Sequence, residues 1–106
     1  MGFGNMGKMM KKMQKLQVQM AKMQEELSQR LVEASAGGGV VMVKANGDGE
    51  LVEVVIDPTV VDPEDVDMLE DLVLAAANEA LRKAREMITE EMGKLTGGLN
   101  LPPGLL

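Results

Sequence analysis

Five lysines within the first 22 residues have a spacing that favours binding to a polyanion. Lys8, Lys15 and Lys22 recur every seven residues, and Lys11 and Lys12 lie beside them. Because a helix completes a turn in about 3.6 residues, all five share one face of a helix and form a cationic stripe. Ammonium groups bind phosphates as point charges, so the stripe predicts contacts with the phosphates of a polyanionic partner.

The stripe can also be interpreted as a solvated helix face, but two observations weigh against that interpretation. Cations near the start of a helix oppose its macrodipole. The helical counter-charges available are Glu25 and Glu26, which lie near Lys22. An uncompensated stripe with a local electrostatic cost therefore predicts a functional surface.

Charge is divided unevenly along the chain. Residues 1–31 carry six basic and two acidic residues, a net charge of +4, whereas residues 32–106 carry five basic and fifteen acidic residues, a net charge of −10. A basic segment on an acidic body predicts that the basic segment alone meets a polyanionic partner. Arg82, Lys83 and Arg85 are secondary candidates, because the late part of a helix can use their charge locally.

The composition excludes most catalytic and metal chemistry. The chain has no Cys, His, Trp or Tyr, which removes disulfides, thiolate and imidazole ligands and most nucleophile and base arrangements. We therefore predict no enzyme activity, cofactor, metal site or small-molecule substrate. Phe3 is the one aromatic residue, which argues against a reader of single strands or RNA. Thioether ligation of Cu(I) is an alternative for one methionine cluster, Met6, Met9, Met10 and Met13.

The helix that would carry the lysines also carries an apolar seam. Its apolar residues alternate at spacings of three and four, as in the a and d positions of paired helices: Met6, Met9, Met13, Leu16, Met20, Met23 and Leu27. A helix over about residues 6–31 would be roughly 39 Å long, so part of it should project or pair between subunits. Residues 1–5 are predicted to be frayed.

Methionine packs adaptably but specifies a partner poorly, which leaves two interpretations of this seam. The first is a core or subunit seam. The second is a groove that captures a partner helix or peptide.

A sheet is predicted over residues 32–57, with a possible edge strand from residue 31 and a hairpin of residues 40–45 and 50–56. The turn Asn46-Gly47-Asp48-Gly49 suits a tight hairpin, and Gly47 or Gly49 is predicted to adopt positive φ. Alternation places apolar residues on both faces of the second hairpin strand. The sheet therefore needs cover from more than one partner. The predicted faces are Val52, Val54 and Ile56 on one side and Leu51 and Val55 on the other.

A second helix is predicted over about residues 63–92. Asp62 would be its N-cap and Pro63 its first residue. Small residues at Ala76, Ala80 and Ala84 allow close approach of a sheet or helix. The Gly/Pro tail of residues 96–106 is predicted not to continue the helix, and docking and disorder both remain open for it.

The chain of 106 residues is predicted to be a single α+β domain: a long N-terminal helix, a three-stranded antiparallel sheet and a long second helix. Its core would be marginal for so apolar a sheet, which predicts a homodimer. No apolar run approaches the ~20 residues of a transmembrane helix, so a cytoplasmic location without membrane contact is expected.

Four short motifs occur in a fixed order along the chain: Lys-Met-Gln-Glu-Glu-Leu at 22–27, Ile-Asp-Pro at 56–58, Asp-Met-Leu-Glu-Asp-Leu-Val at 67–73 and Leu-Pro-Pro-Gly at 101–104. With these motifs the chain resembles the YbaB/EbfC family of bacterial nucleoid-associated proteins over almost its whole length, residues 1–106. The resemblance implies a tweezer-shaped homodimer whose protruding helices are associated with binding to double-stranded DNA, without catalysis and with limited base specificity. It also implies a nucleoid location and a role in chromosome organisation or gene regulation. An interaction scaffold whose Met-rich helix captures a partner remains the alternative.

Overall fold

The structure is a computed structural model that describes the backbone of residues 2–98 and the side chains of residues 6–94. It confirms the predicted α+β class, with a helix, a three-stranded antiparallel sheet and a second long helix. The elements are α1 (Gly2–Gln29), β1 (Leu31–Ala36), β2 (Val41–Asn46), β3 (Leu51–Ile56), a short 3₁₀ turn (Pro58–Val60) and α2 (Val66–Gly98).

The first and last residues of the two helices differ from the sequence predictions. Helix α1 begins at Gly2, so it includes residues that were predicted to be frayed, and α2 continues to Gly98, past the predicted end near residue 92. Glycine only weakens a helix, by about 1 kcal/mol relative to alanine, whereas proline ends one, and the first proline after the start of α2 is Pro102. Residues 96–98 are helical, so the prediction that the Gly/Pro tail of residues 96–106 does not continue the helix was wrong for these three residues. The predictions for residues 99–106 lie outside the described residues.

The N-cap of α2 is Asp65, and the prediction of Asp62 was wrong. The carboxylate of Asp62 accepts the backbone N–H of Glu64 at 2.9 Å, in a turn that precedes the helix. The carboxylate of Asp65 accepts the backbone N–H of Met68 at 3.3 Å, which is the N-cap geometry for a helix that begins at Val66. Acidic residues on both sides of Pro63 made either position plausible from the sequence.

The sheet has the order β1-β2-β3, with antiparallel pairing throughout. Val43 lies opposite Ala34 on β1 and opposite Val54 on β3. The register shifts between Lys44 and Ala45, so that Leu51 pairs with Ala45. This bulge moves Leu51 to the face opposite Val55, which pairs with Met42. The prediction that Leu51 and Val55 share a face was therefore wrong.

Helix α2 covers one face of β1 and β2 but leaves β3 largely uncovered. Small side chains on α2 allow the helix to approach the sheet closely. The four apolar residues of β3 other than Ile56 remain between 44% and 48% exposed. The core is consequently narrow, and it is formed by Ala34, Val41, Val43 and Ala45 of the sheet together with Ala76, Ala80 and Ala84 of α2.

Replacing Ala80 by phenylalanine is expected to overpack this core. Ala80 is 0% exposed between α2 and the sheet. A bulky ring there should lower the free energy of unfolding by about 1–3 kcal/mol, measured by urea denaturation. The matched control is Ala75→Phe, since Ala75 is exposed on the same helix. Equal stability of the two variants would show that α2 does not pack on the sheet through Ala80.

The turn between β2 and β3 confirms the prediction of positive φ, which occurs at Gly49 with φ 77°. Asn46 organises the turn, since its side-chain oxygen accepts the N–H groups of Asp48 and Glu50 at 3.0 and 3.1 Å. No atom lies within 4 Å of a Cβ built on Gly49, so a side chain there meets backbone strain alone.

Gly49→Val should therefore destabilise the protein by roughly 1 kcal/mol or more, measured by thermal unfolding. Gly49→Asn should cost less, because asparagine tolerates the left-handed region. Similar losses of stability in Gly49→Val and Gly49→Asn would mean that the destabilisation does not come from the positive φ at residue 49.

Candidate nucleic-acid interface

Helix α1 projects from the body of the molecule. The molecule measures 79 × 25 × 16 Å along its principal axes. With 28 residues, α1 is about 42 Å long. Every side chain of residues 6–22 is exposed. Residues 6–22 are named the arm below, and residues 23–30 are named its base.

The base holds the arm to the body through a close backbone contact and an ion pair. Leu27 is 6% exposed. The turn residue Gly47 lies against it so closely that an added Cβ would be 1.8 Å from the Leu27 carbonyl oxygen. Nη1 of Arg30 lies 3.0 Å from Oε1 of Glu91 on α2. The base therefore touches the hairpin turn and α2, and these contacts set the direction of the arm.

The ion pair at the base depends on pH in a defined direction. The hydrogen bond from Arg30, together with a second one from Lys94, lowers the pKa of Glu91 below its ordinary value. A carboxylate with a lowered pKa stabilises the folded state above its unfolded pKa and loses that contribution as the pH falls through the folded value. Acidification should therefore loosen the base.

The five lysines of the stripe lie on the exposed arm without counter-charges. Within residues 6–94, none of their ammonium groups pairs with a carboxylate. Lys8 and Lys22 are separated by fourteen residues, about 21 Å along the helix. The structure therefore brings Lys8, Lys11, Lys12, Lys15 and Lys22 onto one solvated surface, while their contact with phosphate stays a prediction.

Two of the secondary DNA-binding candidates on α2 differ from the lysines of the arm because they have hydrogen-bond partners within the molecule. Nε of Arg82 donates to Glu79 at 3.0 Å, and its guanidinium also pairs with Glu86. The bond to Glu79 raises the pKa of Arg82, and the same bond lowers the pKa of Glu79. Lys83 donates to the backbone oxygen of Glu33 on β1 at 3.0 Å. Arg82 and Lys83 therefore have local partners.

Arg85 is the secondary candidate whose guanidinium has neither an ion pair nor a hydrogen bond among the described side chains. It is exposed and lies on a shallow, mostly apolar groove of about 370 Å³ between the β2–β3 turn and α2. Asp48 is the acidic residue on the same groove. A single arginine beside an apolar groove offers much less positive charge to a polyanion than the five lysines of the arm.

The described part of the chain shows no metal centre of the usual kind. No group of three His, Cys, Asp or Glu residues within it is placed to hold a metal ion. The methionines of the Cu(I) alternative are between 60% and 64% exposed, and that alternative remains a hypothesis. Neither helix, over the residues described, has the apolar length that crossing a membrane requires.

Within the part of the chain that the structure describes, the apolar seam of the arm has little cover. Met9 and Met13 are 64% and 60% exposed, and Leu16 and Met20 are 40% and 42% exposed. Exposure therefore decreases along the arm toward the base, where Leu27 is buried. The expectation that part of α1 projects beyond the cover of its own domain is therefore met.

The fold and this surface define a class of small α+β protein with a projecting helix that carries uncompensated cations. The chain belongs to the YbaB/EbfC DNA-binding family, whose sequence model matches residues 1–99. The resemblance found from the short motifs is confirmed.

Similar proteins match the chain over nearly its whole length. A nucleoid-associated protein of Moorella thermoacetica is 66% identical over 102 residues, which cover 96% of this chain and 98% of that protein. A nucleoid-associated protein of Bacillus thuringiensis is 58% identical over 104 residues, covering 98% and 95% of the two chains.

The fold also occurs in a crystal structure of an uncharacterized protein from Helicobacter pylori. The two structures match with a TM-score of 0.63 at 23% identity, over 78% of this chain and 96% of that chain. At this level of identity the comparison supports the fold and carries no statement about function.

Proposed function

We propose that this protein binds duplex DNA as a homodimer, through the lysines of the arm and with little base specificity, and contributes to chromosome organisation or gene regulation in the nucleoid. The observation that carries the proposal is the row of five lysines on a projecting helix, none of which forms an ion pair with a side chain of residues 6–94. The DNA-binding family and the nucleoid-associated relatives support it. No catalysis, cofactor or membrane contact is part of it.

Lysine contacts explain why little base specificity is expected. An ammonium group that binds a phosphate fixes the position of the protein but reads no base edge. The acidic body, with a net charge of −10 over residues 32–106, repels the DNA backbone and should keep contact on the arm. Binding should consequently be sensitive to salt.

The dimer is proposed to form on the sheet, with β3 at its centre. In the described sheet, β3 pairs with β2 on one side and is an edge on the other. Exposed edge strands are templates for pairing with another chain. The uncovered apolar side chains of β3, such as Val54 at 46% exposure, would gain cover from a second copy.

Val54→Lys is expected to shift the protein toward monomer, because it would bury an unpaired charge in the interface. Sedimentation of the wild type at micromolar concentration should show a dimer, and the variant should associate at least about tenfold more weakly. Val61→Lys is the matched control, since Val61 is 53% exposed outside β3. A compact wild-type monomer, or equal association of both variants, would contradict a dimer on β3.

A gel-shift series across salt concentrations tests DNA binding. If about two or three lysines of each protomer reach phosphate, the dimer makes about four to six contacts and the log–log salt slope is about −4 to −5. Two duplexes of unrelated sequence should bind alike, and single-stranded DNA and RNA should bind less well. Binding that is independent of salt, or confined to one duplex, would contradict the proposal.

The second candidate function is an interaction scaffold whose Met-rich arm captures a partner helix or peptide. The exposed seam, with Met9 64% and Met13 60% exposed, is the observation that favours it. This function predicts binding that survives salt and is lost when the methionines are replaced by polar residues. The salt series therefore separates the two functions.

A further inference from the structure

The arm presents an apolar seam that residues 6–94 of its own chain leave exposed. Met13, Leu16 and Met20 are 60%, 40% and 42% exposed along one line of α1. We propose that the arm of a second copy covers this seam and runs antiparallel to it. The pairing is distinct from the contact at β3, so it would join β3 dimers to one another, and its consequence for DNA rests on the proposed function.

The antiparallel register follows from the a and d positions of the seam. In an antiparallel pair, an a residue of one helix packs beside a d residue of the other. When Leu16 of one arm lies beside Met20 of the second copy, Met13 lies beside Met23, and these layers have apolar partners on both sides. Leu27 is already buried against its own hairpin turn and adds no layer. A shift by one heptad toward the N-terminus also fills the seam, with Met6 beside Met23, so the register rests on the charges that flank the seam.

The charges that flank the seam are complementary in this orientation. The g positions of the arm and base are Lys12, Gln19 and Glu26. In an antiparallel pair the g positions of the two helices face each other, so Lys12 faces Glu26 at both ends and Gln19 faces its own copy in the middle. Neither Lys12 nor Glu26 has an ion-pair partner among the side chains of residues 6–94.

A parallel pair lacks this complementarity. Its g positions would face the e positions of the other helix, which are Met10, Gln17 and Gln24 and carry no charge. Flanking charges determine partner choice and orientation in paired helices more than they determine affinity. The arrangement of Lys12 and Glu26 therefore favours the antiparallel orientation.

Antiparallel pairing also places the lysines of both arms on one surface. Lys8, Lys15 and Lys22 occupy c positions, about 40° around the helix from the g positions. The g rows of both helices lie on the same side of an antiparallel seam, and the two lysine rows therefore lie on that side as well. In a parallel pair the rows would be on opposite sides. Two paired arms would thus present one continuous cationic face to DNA.

Single cysteine variants test the orientation cleanly, because the natural chain has no cysteine. Gln19→Cys places two thiols near the two-fold axis of the antiparallel pair, whereas Met13→Cys places like thiols together only in a parallel pair. Val18→Cys is the control, since Val18 is 66% exposed and points away from the seam. Under mild oxidation Gln19→Cys should form a disulfide-linked dimer about tenfold or more faster than the other two.

Fastest cross-linking of Met13→Cys, or equal rates in all three variants, would overturn the antiparallel pair. The same holds if Gln19→Cys stays monomeric on denaturing gels, which is the result expected when the seam is reserved for a foreign helix. Cross-linking is measured without DNA, so its outcome is separate from that of the lysine tests of the proposed function.

A charge exchange supplies a second, independent measurement. Lys12→Glu and Glu26→Lys each place like charges opposite one another, and each should weaken association beyond the β3 dimer by about three- to tenfold at low salt. The double variant should return to within about twofold of wild type. Sedimentation across protein concentrations measures these changes. A double variant that associates as weakly as the single variants would overturn the register.

Discussion

Replacing Gly47 by alanine is expected to separate the base of α1 from the β2–β3 turn. The added Cβ would lie 1.8 Å from the carbonyl oxygen of Leu27 and 2.5 Å from its carbonyl carbon. Both are backbone atoms, so a change of rotamer cannot relieve the clash. The free energy of unfolding should fall by about 1–3 kcal/mol, and by more if Leu27 loses its cover.

Urea unfolding measures the loss in Gly47→Ala, and limited trypsin digestion at Lys22 and Arg30 reports whether the base has opened. Gly93→Ala is the matched control, because it is the same substitution in a helix with no atom within 4 Å of the new Cβ. That control should leave stability unchanged or raise it by up to about 1 kcal/mol. Wild-type stability and digestion of Gly47→Ala would show that α1 does not pack on the turn.

The triple variant Lys8→Ala, Lys11→Ala and Lys15→Ala is expected to lose most DNA binding. It removes three of the five lysines of the arm. The log–log salt slope should become shallower, from about −4 to −5 to about −2. At ~0.1 M salt, this change corresponds to roughly 10²- to 10³-fold weaker binding. Because phosphate contacts carry little sequence information, unrelated duplexes should be affected alike.

Each single lysine variant should make the slope shallower by about one. Lys83→Ala is the matched control, since the Lys83 ammonium already donates to the Glu33 backbone oxygen at 3.0 Å. Arg82→Ala should also have little effect, because Glu79 and Glu86 already pair with Arg82. If the triple variant binds DNA as tightly as the wild type and Arg85→Ala loses binding, the DNA contact lies on α2 instead of the arm.

The sequence by itself determined the elements and the character of the arm. The repeat of methionine and leucine at spacings of three and four predicts a long helix with one apolar line, and the lysines follow from the same periodicity. The β-branched runs and the Asn46 turn predict the hairpin. These features depend on neighbours within a few residues, and local patterns are what a sequence displays directly.

The tertiary structure alone decided which side chains are covered and which charges are free. The contact of Gly47 with Leu27 and the pairing of Arg30 with Glu91 join residues that are far apart in the chain. The register shift that pairs Leu51 with Ala45 moves Leu51 to the other face of the sheet. The alternation of apolar and polar residues in the sequence cannot reveal such a shift. Such features result from packing between elements that are distant in the sequence. The residues next to a side chain in the sequence do not specify which distant element will contact it.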